Sequence, residues 1–436
     1  MSKQTNIPQL RFPEFEGEWE KKKLVEVADK IQDGTHFSPQ VFDKGDYLYL
    51  TSKNVKNGYL ELSNAQYISK ESHESIYKRC DVRNGDVLIT KDGTIGQTCV
   101  NELDEQFSLL SSVAFIRPKD EFSNYFIYQL LVSPKGQKEI DSQIAGQALK
   151  RVTLTKINIF EYFFPKLPEQ TKIASFLTAV DEKIQALKKK HRLLEQYKKG
   201  VMQMLFCLHH DSLDLHDDPD SQGEQQEKNQ GNHENQKKSR FRQLRFKDKN
   251  GNDFPEWEVK KLGEVATFFS GGTPLTTKRE YFDGKIPFIR SGEINSNKTE
   301  QFITELGLKN SSAKMVEIGD ILYALYGATS GEVGISKING AINQAVLCIK
   351  SNQNHYFIYS FLKFEKDNII KTYLQGGQGN LSAEIVKKIE IPLPSLKEQT
   401  AIANFLSALD EKINHTKQQI EKMEVWKKGL LQKMFV

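Results

Sequence analysis

The chain has 436 residues, 61 of them basic and 57 acidic, for a net charge of +4. That is roughly three times a typical domain, so two or more cores are expected, and so small a net charge neither demands nor excludes a nucleic-acid partner. No run of 18 apolar residues occurs and the opening MSKQTNIPQLRFPEF lacks a basic-then-apolar leader pattern, which predicts a cytoplasmic protein with no membrane contact. Cys80, Cys99, Cys207 and Cys348 are far apart and form no C-x-x-C pair, so neither a disulfide framework nor a cysteine zinc site is indicated and small core residues are expected.

In chain order, WEKKKLVEVA at 19–28 opens a mixed region. Residues 47–50, 87–89 and 113–116 read as short strands and residues 125–132 as a helix. From 168 to 206, Ile173, Val180, Leu187, Leu194 and Val201 recur every seven residues, with Leu177, Ile184 and Leu205 beside them. Such a period predicts a long helix with a coiled-coil stripe, about 58 Å long at 1.5 Å per residue, serving as a spacer rather than a domain core. Residues 207–240 are polar and nearly free of aromatics, with eight acidic against four basic side chains, so a flexible tether is expected. The rest of the chain is therefore more basic than the total.

A second mixed region opens with WEVKKLGEVA at 257–266, and its strands are expected at 286–289, 320–325 and 345–349. Residues 397–436 repeat the long helix, with Ile402, Leu409, Met423 and Leu430 flanked by Leu406, Ile413, Ile420 and Met434. The two halves are copies. PEQTKIASFLTAVDEKI at 168–184 and KEQTAIANFLSALDEKI at 397–413 share 12 of 17 residues at an offset of 229, and the same offset carries Tyr197-Lys198-Lys199-Gly200 onto Trp426-Lys427-Lys428-Gly429. NGDVLITKDG at 84–93 and IGDILYALYG at 318–327, then YFIYQLL at 125–131 and YFIYSFL at 356–362, echo one another in the same order. Repetition of this kind dictates the architecture. The fold class is α+β: two mixed α/β domains at 1–167 and 241–396, related by pseudo-two-fold symmetry, with two long helices packed on each other at 168–206 and 397–436.

Two unlike domains, each closed by an EQT-x-I-A-x-F-L-x-A-x-D-E-K-I helix, resemble the specificity subunit of type I restriction-modification enzymes over nearly the whole chain. The resemblance implies a non-catalytic subunit whose two target recognition domains each read half of a bipartite, asymmetric site on double-stranded DNA. It further implies that the helices pack antiparallel, set the gap between half-sites and dock two modification (methyltransferase) subunits, with restriction (nuclease and motor) subunits joining that core. S-adenosylmethionine, Mg2+ and ATP then belong to the partner subunits, and this chain holds no cofactor. Methylation in the partner requires the base to be flipped from the stack.

Sequence readout needs amides and forked cations in loops between strands, whereas lysines on phosphates add affinity without information. In the first domain the candidates are Thr35 and His36, Lys53 and Asn54, Lys91 and Thr94, and Gln147 with Lys150 and Arg151. In the second they are Thr273, Lys278, Arg279, Arg290, Ser291, Glu293, Tyr326, Gln378 and Asn380. For each, an ordinary solvated loop residue is the competing reading. The helix-packing set is Ile173, Leu177, Val180, Ile184, Leu187 and Leu194 on the first helix, and Ile402, Leu406, Leu409, Ile413, Ile420 and Met423 on the second.

No phosphate-binding G-x4-G-K-[ST] loop, H-E-x-x-H or N-P-P-[FYW] signature occurs. Pro13-Glu14 ahead of Glu20-Lys21-Lys22 only superficially matches a nuclease pattern, and His209, His210 and His216 among aspartates of the tether are expected to be solvated filler, not a metal site. Two rival readings remain: a self-sufficient fused methyltransferase or endonuclease, and a coiled-coil adaptor without DNA affinity.

Overall fold

The computed structural model describes residues 6–144, 150–206, 244–373 and 380–436. They fall into two compact units, Met1–Lys190 with Thr416–Val436, and His191–His415. The second unit is one continuous stretch and the first is made of two, because each takes one part of both long helices.

Each unit is built on the same four-stranded antiparallel sheet. In the first unit Ala28–Asp33, Val113–Pro118, Val87–Thr90 and Thr98–Val100 lie side by side; in the second, Ala266–Ser270, Val346–Ser351, Ile321–Ala324 and Val333–Ile335 do so in the same order. The central strands VLIT and ILYA are buried throughout. They lack polar alternation because both faces of the sheet are covered, and the period of two sorts their side chains between two cores. Val87, Ile89, Ala114 and Ile116 face the helices, whereas Leu88, Val113 and Phe115 face a smaller sheet. In the second unit Ile321, Tyr323, Leu347 and Ile349 take the helix side, and Leu322, Ala324, Val346 and Cys348 the other.

The smaller sheet contains a parallel pair in each unit, Tyr47–Leu50 with Ser108–Leu109 and Phe282–Ile289 with Gly340–Ile342. A two-strand ribbon closes each domain, Glu20–Lys23 on Glu161–Phe164 and Glu258–Lys261 on Glu390–Leu393, so that the chain returns to its start just before each long helix. Burial pushes the thiols of Cys80, Cys99 and Cys348 up to about 12, as inert core residues; Cys207, Gln147, Gln378 and the tether histidines lie outside the described residues.

The long helices run Leu167–Phe206 and Leu396–Met434. In the first unit Asp181 accepts Lys427 at 2.5 Å, Lys188 pairs with Glu424 at 2.7 Å, and Phe176 meets Trp426 edge-on. In the second unit Lys198 pairs with Asp410 at 2.6 Å and Tyr197 meets Phe405. The early part of one helix thus lies beside the late part of the other in each unit, so they pair antiparallel.

The expectation that these helices form only a spacer is corrected here. Ile173, Leu177, Val180 and Ile184 share one core with Trp19, Phe126, Leu430, Leu431, Met434 and Phe435. Ile402 and Leu406 share another with Val201, Met202, Leu205, Phe206 and Phe357. Leu187 and Leu409 are buried, Met423 is half-buried against the first unit's core, and Leu194, Ile413 and Ile420 are half-buried. The seven-residue row therefore changes role along its length. A helix end that meets a sheet and a neighbouring helix at once buries more apolar area than a two-helix seam provides.

Candidate DNA interface

In the first unit, loops distant in sequence are laced together at one rim. The chain leaves strand Ala28–Asp33 at Gly34, where a Cβ would come within 1.9 Å of the Leu109 carbonyl oxygen; only glycine fits so close an approach. Thr35 then donates its N–H to Leu109 and accepts from Ser111. Ser52 N–H donates to Ser112 Oγ, Lys91 N–H to the Ser112 carbonyl, and Val152 N–H to the Lys91 carbonyl. Arg151 reaches Asp92 at 3.3 Å. The segments around Thr35, Lys53, Lys91 and Arg151 therefore form one surface.

The second unit repeats the lacing with other residues. A Cβ on Gly271 would stand 1.7 Å from the Ile342 carbonyl oxygen. Thr273 Oγ1 donates to Gln344 Oε1 at 2.6 Å, Asn343 N–H donates to the Ile289 carbonyl beside Arg290, Leu325 N–H to Ala345, and Leu381 N–H to Leu325. Thr273, Arg290, Tyr326 and Asn380 are thereby gathered. Lys278 and Arg279 are exposed on a separate short turn, where the Lys278 ammonium lies over the Tyr281 ring at 5.3 Å.

Several candidates are corrected by their burial. Lys91 is 3 % exposed and pairs with Asp33, itself 1 % exposed, so its ammonium is consumed inside the unit. Asn54 is buried, its Oδ1 accepting Thr51 N–H and its Nδ2 donating to the Glu61 carbonyl. Thr35 is buried, its hydroxyl accepting Phe37 N–H. These three hold the rim rather than present it. Glu293 is also spent internally. It takes the N–H groups of Arg290 and Glu300 and, with Glu300, engages the Arg290 guanidinium, whose pKa those hydrogen bonds raise further. His36, Lys53, Thr94, Lys150, Arg151, Thr273 and Asn380 stay exposed, and Ser291 and Tyr326 half-buried.

The repeated helix motif is structural. Glu169, buried, receives both Nε and Nη2 of Arg11 at 2.7 Å and the indole N–H of Trp19; Glu398, also buried, receives Arg245 and Trp257 in the same way. Forked, doubly donated carboxylates of this kind tolerate burial. Gln170 and Gln399 accept the N–H groups of Ser123 and Asn354 and donate to the Pro165 and Pro394 carbonyls. Composition around the motif did not reveal these partners, although the repeated arginine, tryptophan and glutamate are all visible once the halves are aligned.

Residues 16–196 and 255–425 each match the type I restriction modification DNA specificity domain. The chain belongs to that family. It carries the family's recognition domain twice, and the alignment spans both the sheets and most of each helix. It is 26 % identical over 448 residues to the provisionally named MjaX type I restriction enzyme specificity subunit of Methanocaldococcus jannaschii, covering 98 % of this chain and 95 % of that one. The MjaIX specificity subunit of the same organism is 23 % identical over 452 residues, at 99 % and 96 % coverage. The crystal structure of a type I restriction-modification S subunit from M. genitalium shares the fold, with a TM-score of 0.61 at 18 % identity and 99 % coverage of both chains. Among the described residues no helix is long and apolar enough to cross a membrane, and no cluster of metal-ligating side chains occurs.

Proposed function

We propose that this specificity-family chain reads a bipartite, asymmetric duplex, one half-site per unit, without catalysing any step itself. Two modification subunits dock on the paired helices, restriction subunits join them, and S-adenosylmethionine, Mg2+ and ATP are bound by those partners in the cytoplasm. The observation that carries the reading is the twice-built rim: one backbone lacing, closed at Gly34 and at Gly271, displays unlike side chains in the two copies. Equal scaffolds with different polar edges suit unlike half-sites, because base edges differ in donors and acceptors while the phosphate backbone does not.

Mapping methylated bases in DNA from cells carrying the complex tests this. The expected result is a two-part motif with a fixed gap, and exchange of residues 241–396 for those of a relative should alter one part only. Alteration of both parts refutes independent readers. Methyl transfer by the purified chain alone refutes the non-catalytic assignment. The adaptor reading fails if log affinity of the assembled complex for duplex falls linearly with log salt concentration, as counterion release requires.

A further inference from the structure

Arg79 was absent from the candidate readers, yet its environment suits one better than any of them. It lies just past helix Lys70–Tyr77 and is held at both ends. Its N–H donates to the Ile76 carbonyl and its own carbonyl accepts Lys30 Nζ at 3.1 Å. At the tip, Nη2 donates to the Gly34 carbonyl and faces Asp33 Oδ1 at 3.4 Å. Among the described residues Nε and Nη1 meet no acceptor, and the side chain is 50 % exposed. Asp33 also anchors Lys91 and stands 3.3 Å from His36 Nε2. One buried carboxylate and one glycine carbonyl thus aim a guanidinium at the rim. The second unit's Arg290 is the contrast, with Nε and Nη2 both taken by carboxylates.

We propose that Arg79 reads a guanine in the half-site of the first unit, its outward donors meeting the N7 and O6 acceptors of the major groove. The assignment rests on the first unit being a recognition domain. Pinning the fork beforehand reduces the side-chain ordering that binding otherwise requires, and Arg on guanine is the commonest direct readout pair.

The test uses the full chain assembled with its modification subunits to select duplexes from a random pool. Wild type should select two half-sites. Arg79→Ala should lose one guanine preference in one half, keep the other half intact, and bind the wild-type sequence on the order of ten- to a hundredfold more weakly. Arg79→Lys should recover part of the affinity but not the preference. Replacing that guanine by 7-deazaguanine should weaken wild type and leave Arg79→Ala unaffected, a comparison that needs no folding of a new variant on the wild-type arm. Unchanged selection by both variants overturns the proposal, as does a uniform loss across all sequences with a salt slope smaller by about one, which marks a phosphate contact. If wild type selects no sequence, the recognition reading fails and this assignment with it; if wild type selects two half-sites that Arg79 variants leave unaltered, only the assignment fails.

Discussion

At one equivalent point the first unit buries Lys91 against Asp33, whereas the second buries Leu325 in its helix-side core. The equivalence is set by hydrogen bonds: Lys91 donates to Ser112 and accepts from Val152 as Leu325 donates to Ala345 and accepts from Leu381. An ion pair and an apolar side chain satisfy the same backbone. Rim chemistry is therefore free to diverge where the lacing is main-chain, and it is restrained where a side chain such as Glu169 or Glu398 supplies the tie. Each domain also borrows its closing core from the far end of a helix that begins in the other repeat, Phe435 in the first unit and Phe206 in the second.

That borrowing offers the strongest way to break the comparison. Phe435→Ala should cost about 3 to 5 kcal/mol, the usual penalty for emptying a buried aromatic site, and should strip hydrogen-exchange protection from Val87–Thr90 while sparing Ile321–Ala324. Phe206→Ala should do the reverse. Equal loss in both sheets from either variant would show that the units do not unfold separately.

The buried pair comes next. Lys91→Leu leaves Asp33 without its buried partner and should cost about 3 kcal/mol or more in the first unit. Adding Asp33→Ser, which copies the second unit's chemistry, should recover most of that loss; a double variant no more stable than the single one, in thermal unfolding, would show that the two rims are not interchangeable at this point.

Lys53→Ala removes an exposed ammonium, so binding should weaken similarly for all sequences and the salt slope should fall by about one; a changed target sequence would instead make Lys53 a base reader. Insertion of four residues near Leu187 should alter the gap and leave half-site identity unchanged, as sequencing of methylated sites would reveal.

The smallest effect is a difference in acid sensitivity. Burial against Tyr47 lowers the pKa of His73, opposed by its hydrogen bond to Gln106. The folded first unit keeps the ring neutral while the unfolded chain takes up a proton near pH 6.5. Stability is therefore full above about that pH and declines below it. His73→Gln should flatten the first unit's unfolding temperature between pH 7.5 and 5.5, and an unaltered slope would assign the acid sensitivity elsewhere.

Much of the plan was legible in advance. The repeat at an offset of 229 marks both helices, and the apolar runs at 87–89 and 320–325 mark the central strands. The loops at Lys53, Lys91 and Arg151, each a candidate for DNA contact from the sequence, are joined by hydrogen bonds into one rim. What failed was the sorting of buried from exposed polar residues. Asn54, Thr35 and Lys91 have the composition of DNA-contacting residues, and only the turn that joins Asn54 to Thr51 and Glu61, the Leu109 carbonyl that takes Thr35 N–H, and the carboxylate of Asp33 take them inside. Arg79 was missed because nothing local distinguishes an arginine after a short helix; its importance arises from Gly34, which is 45 residues away in sequence.

Doubling, helix length and the register of apolar residues are properties of the string of amino acids, since periodicity and repetition are local or directly countable. Which carboxylate meets which cation, which loop residues keep a free edge, and which core each helix end completes depend on partners far apart along the chain. Those pairings are chosen by burial and by the need to satisfy every buried polar group at once, and only the folded protein states them.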